Sequence, residues 1–450
     1  MAWTGTVWAD TLRAMRSDKT SANASAAEGD AAGAPIEADV LVVGGGLVGM
    51  TLAIVLAEAG LEVAVVDRAD PTAGLSDAHD GRASAIARGS QQALAAAGLW
   101  ADMAPEAQPI LQIRVSDGQL GRPASSLFLH YDREEVDGRP LGYMVENRVT
   151  RVALHKRARR QARLRAFAPA QLTSLERERL WVHAALEDGT RLRARLAVAA
   201  DGRASPLRQA AGIRTLAWDY PQAGLVCTVG HALPHHGVAH ECFLPAGPFA
   251  MLPLRDAVEA GGAVRHRSSI VWTERRALAE QLLALDDAAF AREMGRRFGD
   301  SLGALSVSGR RWSYPLSLTY ATRTIDHRLA LVGDAAHAIH PIAGQGFNLG
   351  LRDIAALAEV VVDAARLGLD PGEASVLRRY ERWRRADNLA LLAVTDGLNR
   401  LFSNDLPPLR LVRDLGLAAV NRMPMAKRFF MRHAMGLVGD LPRLIRGEAL

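Results

Sequence analysis

The stretch DVLVVGGGLVGMTLAIVLAEAGLEVAVVD, residues 39–67, decides the fold. Asp39–Val43 reads as a buried parallel strand, Leu47–Gly60 as a helix packed on it, and Leu61–Asp67 as the next strand. That order is a βαβ unit, and the turn between its first strand and its helix is glycine-rich. Gly44 suits the tight turn, Gly46 lets a pyrophosphate approach the backbone, and Gly49 lets helix and strand pack closely. The helix start at Leu47 and Val48 would present free N–H groups to the phosphates. Asp67 lies eighteen residues past Gly49, near the spacing at which a carboxylate binds adenosine ribose hydroxyls, and Arg68 follows it. A carboxylate there repels a 2′-phosphate, which argues against NADP and leaves FAD and NAD open.

A second stretch, GDAAHAIHPIAGQGFNLGLRD at 333–353, follows the short apolar strand Arg328–Val332. Ligand groups collect at the carboxyl ends of strands in open α/β sheets, which is where Asp334 falls. Gly344 and Gly346 lie in a turn that feeds a helix beginning near Asn348, a second anion-receptive backbone site. His337 and His340 give half a metal site at most, and no matching Cys, His or Glu cluster occurs elsewhere. No GxSxG elbow or placed cysteine supplies a nucleophile for a His–Asp pair. Two helix N-termini suit a long bipartite cofactor, and FAD fits. The first would hold its ADP half. Asp334 would hydrogen-bond the ribityl chain, and the backbone of 343–348, including Gln345 and Phe347, would face the electron-rich end of the flavin ring.

The rest of the chain bounds this picture. At 450 residues it exceeds what one core usually supports. Its 49% hydrophobic and 23% charged residues are those of a globular protein, and no apolar run reaches the length of a bilayer span. Two cysteines outside any CxxC pattern make a reducing, cytoplasmic setting the default. The net charge of +5 is scattered arginine without a recognition motif, so nucleic acid is not an expected partner.

The motifs GGGLVG, DGRASAIARGS, VAADGRASPLRQ and HPIAGQGFNLGLRD resemble flavin-dependent aromatic hydroxylases of the para-hydroxybenzoate hydroxylase class. Within that class the chain looks most like the ubiquinone-biosynthesis hydroxylase family, supported by GYMVENRVTR, WDYPQAG, FLPAGPFAMLPL and TDGLNRLF. The resemblance covers about residues 38–440. It implies FAD as cofactor, NAD(P)H or another reductant as transient donor, and molecular oxygen as co-substrate, activated at the flavin C4a position. The implied substrate is a polyprenylated phenol; hydroxylation, epoxidation or reduction of another aromatic or isoprenoid substrate is the alternative. Arg82 resembles the arginine that reaches the FAD pyrophosphate or ribityl region. Asn147 falls where the class places an amide near the ribityl chain, Asp201 and Gly202 in the motif around cofactor and incoming nicotinamide, and Pro341 against the flavin ring. His340 is a candidate for proton movement, although the cofactor carries most of the chemistry.

The expected fold class is α/β, with a Rossmann-like FAD-binding domain from 38–215 and 320–370, an inserted antiparallel-sheet substrate domain at 216–319, and a helical C-terminal region at 371–450. Residues 1–37 read as a flexible lead-in. Basic residues mixed with Leu, Met and Phe429–Phe430 near the C-terminus suit contact with the inner membrane surface, and a quinone-biosynthesis complex is a further expected partner.

Overall fold

A computed structural model describes residues 34–75, 81–121, 128–258, 261–338, 345–402, 416 and 419–450. Calls on the N-terminal lead-in, His340, Pro341 and Gly344 therefore fall outside the described residues. Ile36–Leu450 form one unit.

The βαβ unit forms where expected, with β1 at Ile36–Val43, α1 at Leu47–Glu58 and β2 at Val63–Val66. Five parallel strands form the body of its eight-stranded sheet, in the order Leu329–Leu331, Arg191–Ala199, β1, β2 and Leu164–Phe167; Leu172–Arg177, Val182–Leu186 and Ile325–Asp326 join through antiparallel pairs. Alternation sends Val40 and Val42 to one face and Leu41 and Val43 to the other, and both faces are covered. A strand buried on both sides has no polar face to show, which is why β1 reads as an unbroken apolar run. α1 and the long helix Gln345–Arg366 (α2) pack on the first face. The turn at Glu187–Thr190 joins Val182–Leu186 to Arg191–Ala199 as a hairpin, as its Asp-Gly suggests.

The second sheet is mainly antiparallel and runs His337–Ala338, Leu305–Ala321, Thr215–His231, Val264–Arg275, Gly247–Val258, Val238–Leu244, Gln112–Asp117 and Leu129–Asp132. The last two strands come from inside the span that sequence reading left with the first lobe; Gln112–Asp117 adds in parallel to Val238–Leu244. Pro221 cannot donate to a ladder, and the register of Thr215–His231 slips between Asp219 and Ala223, around it. Helices Arg276–Leu283 and Asp287–Phe298 cover one face, packing Phe290 and Met294 on Phe249 and Trp272. The other face meets the first lobe through Ala239 and Leu254 against Ile110 and Met144. Helices Ala374–Phe402 and Pro424–Ala434 complete the α/β fold with a helical C-terminal region. No helix among the described residues is long and apolar enough to cross a membrane.

Candidate functional site

The carboxyl ends of four parallel strands gather the expected residues on one edge: Gly44–Gly46 after β1, Asp67 after β2, Asp201–Gly202 after Arg191–Ala199, and Asp334 after Leu329–Leu331. Gly44 has φ 105°, and a Cβ there would lie 2.2 Å from the Ala200 carbonyl oxygen. A Cβ at Gly49 would collide with the Gly44 carbonyl oxygen. These two glycines are therefore required by the protein itself. Gly46 differs, because a Cβ there would meet nothing within 4 Å. Open space beside a helix start is what an approaching phosphate needs.

Asp67 holds this turn. Its carboxylate accepts the Gly45 N–H at 2.5 Å and the Ala69 N–H at 2.7 Å, and each oxygen retains a lone pair. Beside it a cleft of about 390 Å³ is lined by Gly46, Met50, Asp67, Arg151 and Ala166 among others. Arg68 is exposed next to this cleft mouth in sequence.

The second motif lands against the first. A Cβ at Gly350 would sit 2.7 Å from Val48 Cγ2, and one at Gly333 would sit 3.2 Å from both Val48 methyls. Asp334 is exposed as a residue while protein atoms crowd around its carboxyl; desolvation raises its pKa, with Arg203 and His337 opposing. Asp201 accepts the Leu207 N–H through Oδ2, whereas its Oδ1 is buried with no partner among the described residues. Gly202 has φ 87° with nothing near a would-be Cβ, and Gly346 is equally open.

Arg82 is exposed, and its carbonyl accepts the Asn147 N–H. The Asn147 side chain is engaged by the Ser84 hydroxyl at 2.7 Å. Asn348 does something its sequence position did not announce. Its amide donates to the Ala85 carbonyl at 2.7 Å and accepts the Ala87 N–H at 2.8 Å, stitching the start of α2 to the strand Ala83–Ala87. Its side chain is thereby committed, leaving backbone near Gln345, Gly346 and Phe347 as the group able to face a ligand.

Sequence reading missed the support beneath this loop. Asp353 is fully buried and accepts the Gly333 N–H at 3.0 Å. Its carboxylate also meets His337 Nε2 at 2.6 Å and Arg384 Nε at 2.8 Å, and Arg384 goes on to Asp387 and Asn388. Burial alone would raise the Asp353 pKa, but His337 and Arg384 hold it below the usual carboxylate range. This commits His337 to a buried hydrogen bond with Asp353. The signal was present: an acid whose helix-face neighbours, Leu349, Gly350, Ala356 and Leu357, are all apolar needs a buried partner. Arg208 similarly ties Ala335 and Arg203 by their carbonyls.

The donor set fits FAD. It offers open backbone at Gly46 and at Gly346 in the first turn of α2, the carboxylate of Asp67, and an orphaned buried oxygen at Asp201. A separate apolar cavity of about 90 Å³, lined by Ile110, Leu141, Leu252, Asn348, Met431 and Met435, lies where the antiparallel sheet, a small three-stranded sheet of Ala83–Ala87, Gly142–Glu146 and Gln108–Ile110, and Pro424–Ala434 meet.

Comparison with known proteins agrees. A family model described as FAD binding domain matches residues 37–392. The chain is 53% identical over 416 residues to ubiquinone hydroxylase UbiL of Rhodospirillum rubrum, covering 92% of this chain and 94% of that one. It is 35% identical over 401 residues to 3-demethoxyubiquinol 3-hydroxylase of Escherichia coli, covering 89% and 98%. Among solved structures, p-nitrophenol 4-monooxygenase PnpA from Pseudomonas putida shares the fold with a TM-score of 0.72 at 21% identity, covering 90% of this chain and 99% of that one.

Proposed function

Since the chain belongs to the FAD-binding family of ubiquinone-biosynthesis hydroxylases, we propose that it is an FAD-dependent monooxygenase that hydroxylates the aromatic ring of a polyprenylated phenol. The observation that carries this reading is the convergence of Gly46, Asp67, Asp201 and Asp334 on one sheet edge, together with an apolar cavity whose wall includes Asn348 at the start of α2.

In this reading the lobe built on the parallel sheet holds FAD, and the antiparallel sheet roofs it. Leu47 and Val48 N–H groups at the start of α1, with Gly44 and Gly49 shaping the turn, receive the pyrophosphate. Asp67 meets the adenosine ribose and Arg82 adds charge toward the phosphates or ribityl chain. Asp334 accepts from the ribityl hydroxyls, and a carboxylate relieved by such donors becomes easier to ionise. Asp201 Oδ1 gains its missing donor in the same region. The backbone near Gly346 and Phe347 presents N–H groups toward the ring, and Asn348 fixes that backbone by its two bonds to Ala85 and Ala87.

When bound and reduced by NAD(P)H or another donor, FAD supplies activated oxygen to the ring. The protein's part is to exclude water, align the ring and carry the tail. Helix Pro424–Ala434 serves the last task. Met431 and Met435 wall the cavity, while Met425, Phe429 and Phe430 are exposed beside Arg428 and Arg432. That arrangement suits contact with an anionic membrane surface, from which a polyprenyl chain can enter. Purified, FAD-loaded protein given a reductant, 2-geranylphenol and isotopically labelled dioxygen should yield a catechol or hydroquinone carrying the label. An unlabelled product, or oxygen on the prenyl chain instead of the ring, contradicts the assignment.

A further inference from the structure

The apolar cavity contains one carboxylate that the mechanism above does not use. Glu241 sits on Val238–Leu244, where alternation puts it on the same face as Ala239 and so toward the first lobe. It lines the cavity together with Ile113, Leu141, Leu252 and Met431. Its Oε1 is shut off from solvent and has no hydrogen-bond partner among the described residues. The other polar groups on the cavity wall do not relieve it. Asn348 spends its amide on Ala85 and Ala87. A buried acceptor without a donor is costly and rare, so a site that retains one points to a ligand that brings the donor.

We propose that Glu241 recognises the phenolic hydroxyl of the substrate, accepting its hydrogen bond inside the apolar cavity and so setting which ring carbon faces the flavin. The inference rests on the reading of the substrate as a phenol. A phenol matches the cavity chemically, because it presents an apolar ring with a single strong donor. Accepting that hydrogen bond also raises electron density on the ring, which favours attack by an electrophilic oxygen. No net proton transfer is required, since a phenol holds its proton more tightly than this carboxylate does.

The charge states of the walls support this assignment. Burial pushes Glu241 up to about 7. Tyr131 is pushed up to about 12 and His240 down to about 4 by burial, with Arg114, paired across the strand from His240, adding to the latter shift. Glu241 is therefore the wall group, among the described residues, that changes charge near neutral pH.

The test is equilibrium binding of 2-geranylphenol and of its methyl ether, 2-geranylanisole, to the FAD-loaded protein. Wild type should prefer the phenol about tenfold or more at about pH 8.5, the scale of one charge-assisted hydrogen bond. The preference should fall at about pH 5.5, where the carboxyl is protonated. Glu241→Gln should keep a reduced preference that no longer depends on pH, and Glu241→Leu should show none, with FAD content unchanged in both. Equal binding of the two compounds by wild type, which needs no variant to interpret, overturns the proposal. So does full preference in Glu241→Leu. If neither compound binds and no labelled product forms, the aromatic-substrate reading fails as well; if Glu241→Leu binds and hydroxylates the phenol as wild type does, only the role of Glu241 fails.

Discussion

Val48 and Gly350 touch across a gap of three hundred residues of chain: a Cβ at Gly350 would come within 2.7 Å of Val48 Cγ2. This contact packs the start of α1 against the first turns of α2. Gly350→Ala should overpack this joint, cost about 1–3 kcal/mol and lower FAD occupancy. The double variant Val48→Ala/Gly350→Ala removes the obstructing methyls and should recover much of both losses. Thermal melting and flavin content of the four proteins measure the coupling; simple additivity would show that the two motifs do not meet.

Gly44 and Gly46 should separate by phenotype although they sit two residues apart. Gly44→Ala forces a side chain onto φ 105° and into the Ala200 carbonyl, so it should destabilise the fold itself. Gly46→Val meets open space and should fold with a near wild-type melting temperature, yet bind FAD poorly because its side chain occupies the phosphate approach. Equal flavin content in wild type and Gly46→Val would remove the phosphate from that turn.

Asp353 and Arg384 form a buried pair, and breaking it should cost about 3–5 kcal/mol because the remaining charge is stranded. Arg384→Met is the cleaner variant, with denaturant unfolding as the measure. The sign with pH follows from the lowered Asp353 pKa: its contribution is present above the unfolded-state carboxylate value and is lost as pH falls through the lower folded value. Wild type should therefore lose stability more steeply on acidification than Arg384→Met. Parallel acid profiles would rule the pair out as the source.

Glu241 has the opposite sign. A carboxyl raised to about 7 weakens the fold once ionised, so the ligand-free protein gains stability as pH falls through about 7 toward the unfolded value near 4.5. Glu241→Gln should raise the melting temperature at about pH 8.5 more than at about pH 5.5. An equal shift at both pH values would place Glu241 in a polar setting.

The outer face of Pro424–Ala434 should bind anionic vesicles. Phe429 and Phe430 are 54% and 46% exposed, which is unusual for paired aromatics in a surface helix unless something covers them. Replacing both by Ser should reduce sedimentation with phosphatidylglycerol vesicles several-fold while leaving FAD content intact. Undiminished sedimentation would remove this face from membrane contact.

The βαβ unit was legible because a strand buried on both faces and a helix of apolar residues leave strong patterns, and because Gly44 and Gly49 are forced by close backbone contacts. The second motif was legible as a helix start, and Asp334 as a strand-end acid. The pairing of Gln112–Asp117 with Val238–Leu244 was not, since a parallel strand added from far along the chain has no local signature. The partners of Asp353 were hidden for the same reason: Arg384 lies thirty-one residues away in a helix where Arg378, Arg379, Arg382 and Arg385 face solvent. The task of the Asn348 side chain was not legible either: it bonds the strand Ala83–Ala87, because an amide can complete a strand edge as a backbone group would.

The central claim is that two distant turns hold opposite halves of one FAD. Its most direct test is titration of the flavin-stripped protein with FAD and with ADP, in wild type, Gly46→Val and Asp334→Ala. The account predicts that Gly46→Val weakens both ligands, whereas Asp334→Ala weakens FAD and leaves ADP unchanged. Unaltered FAD affinity in Asp334→Ala would contradict it.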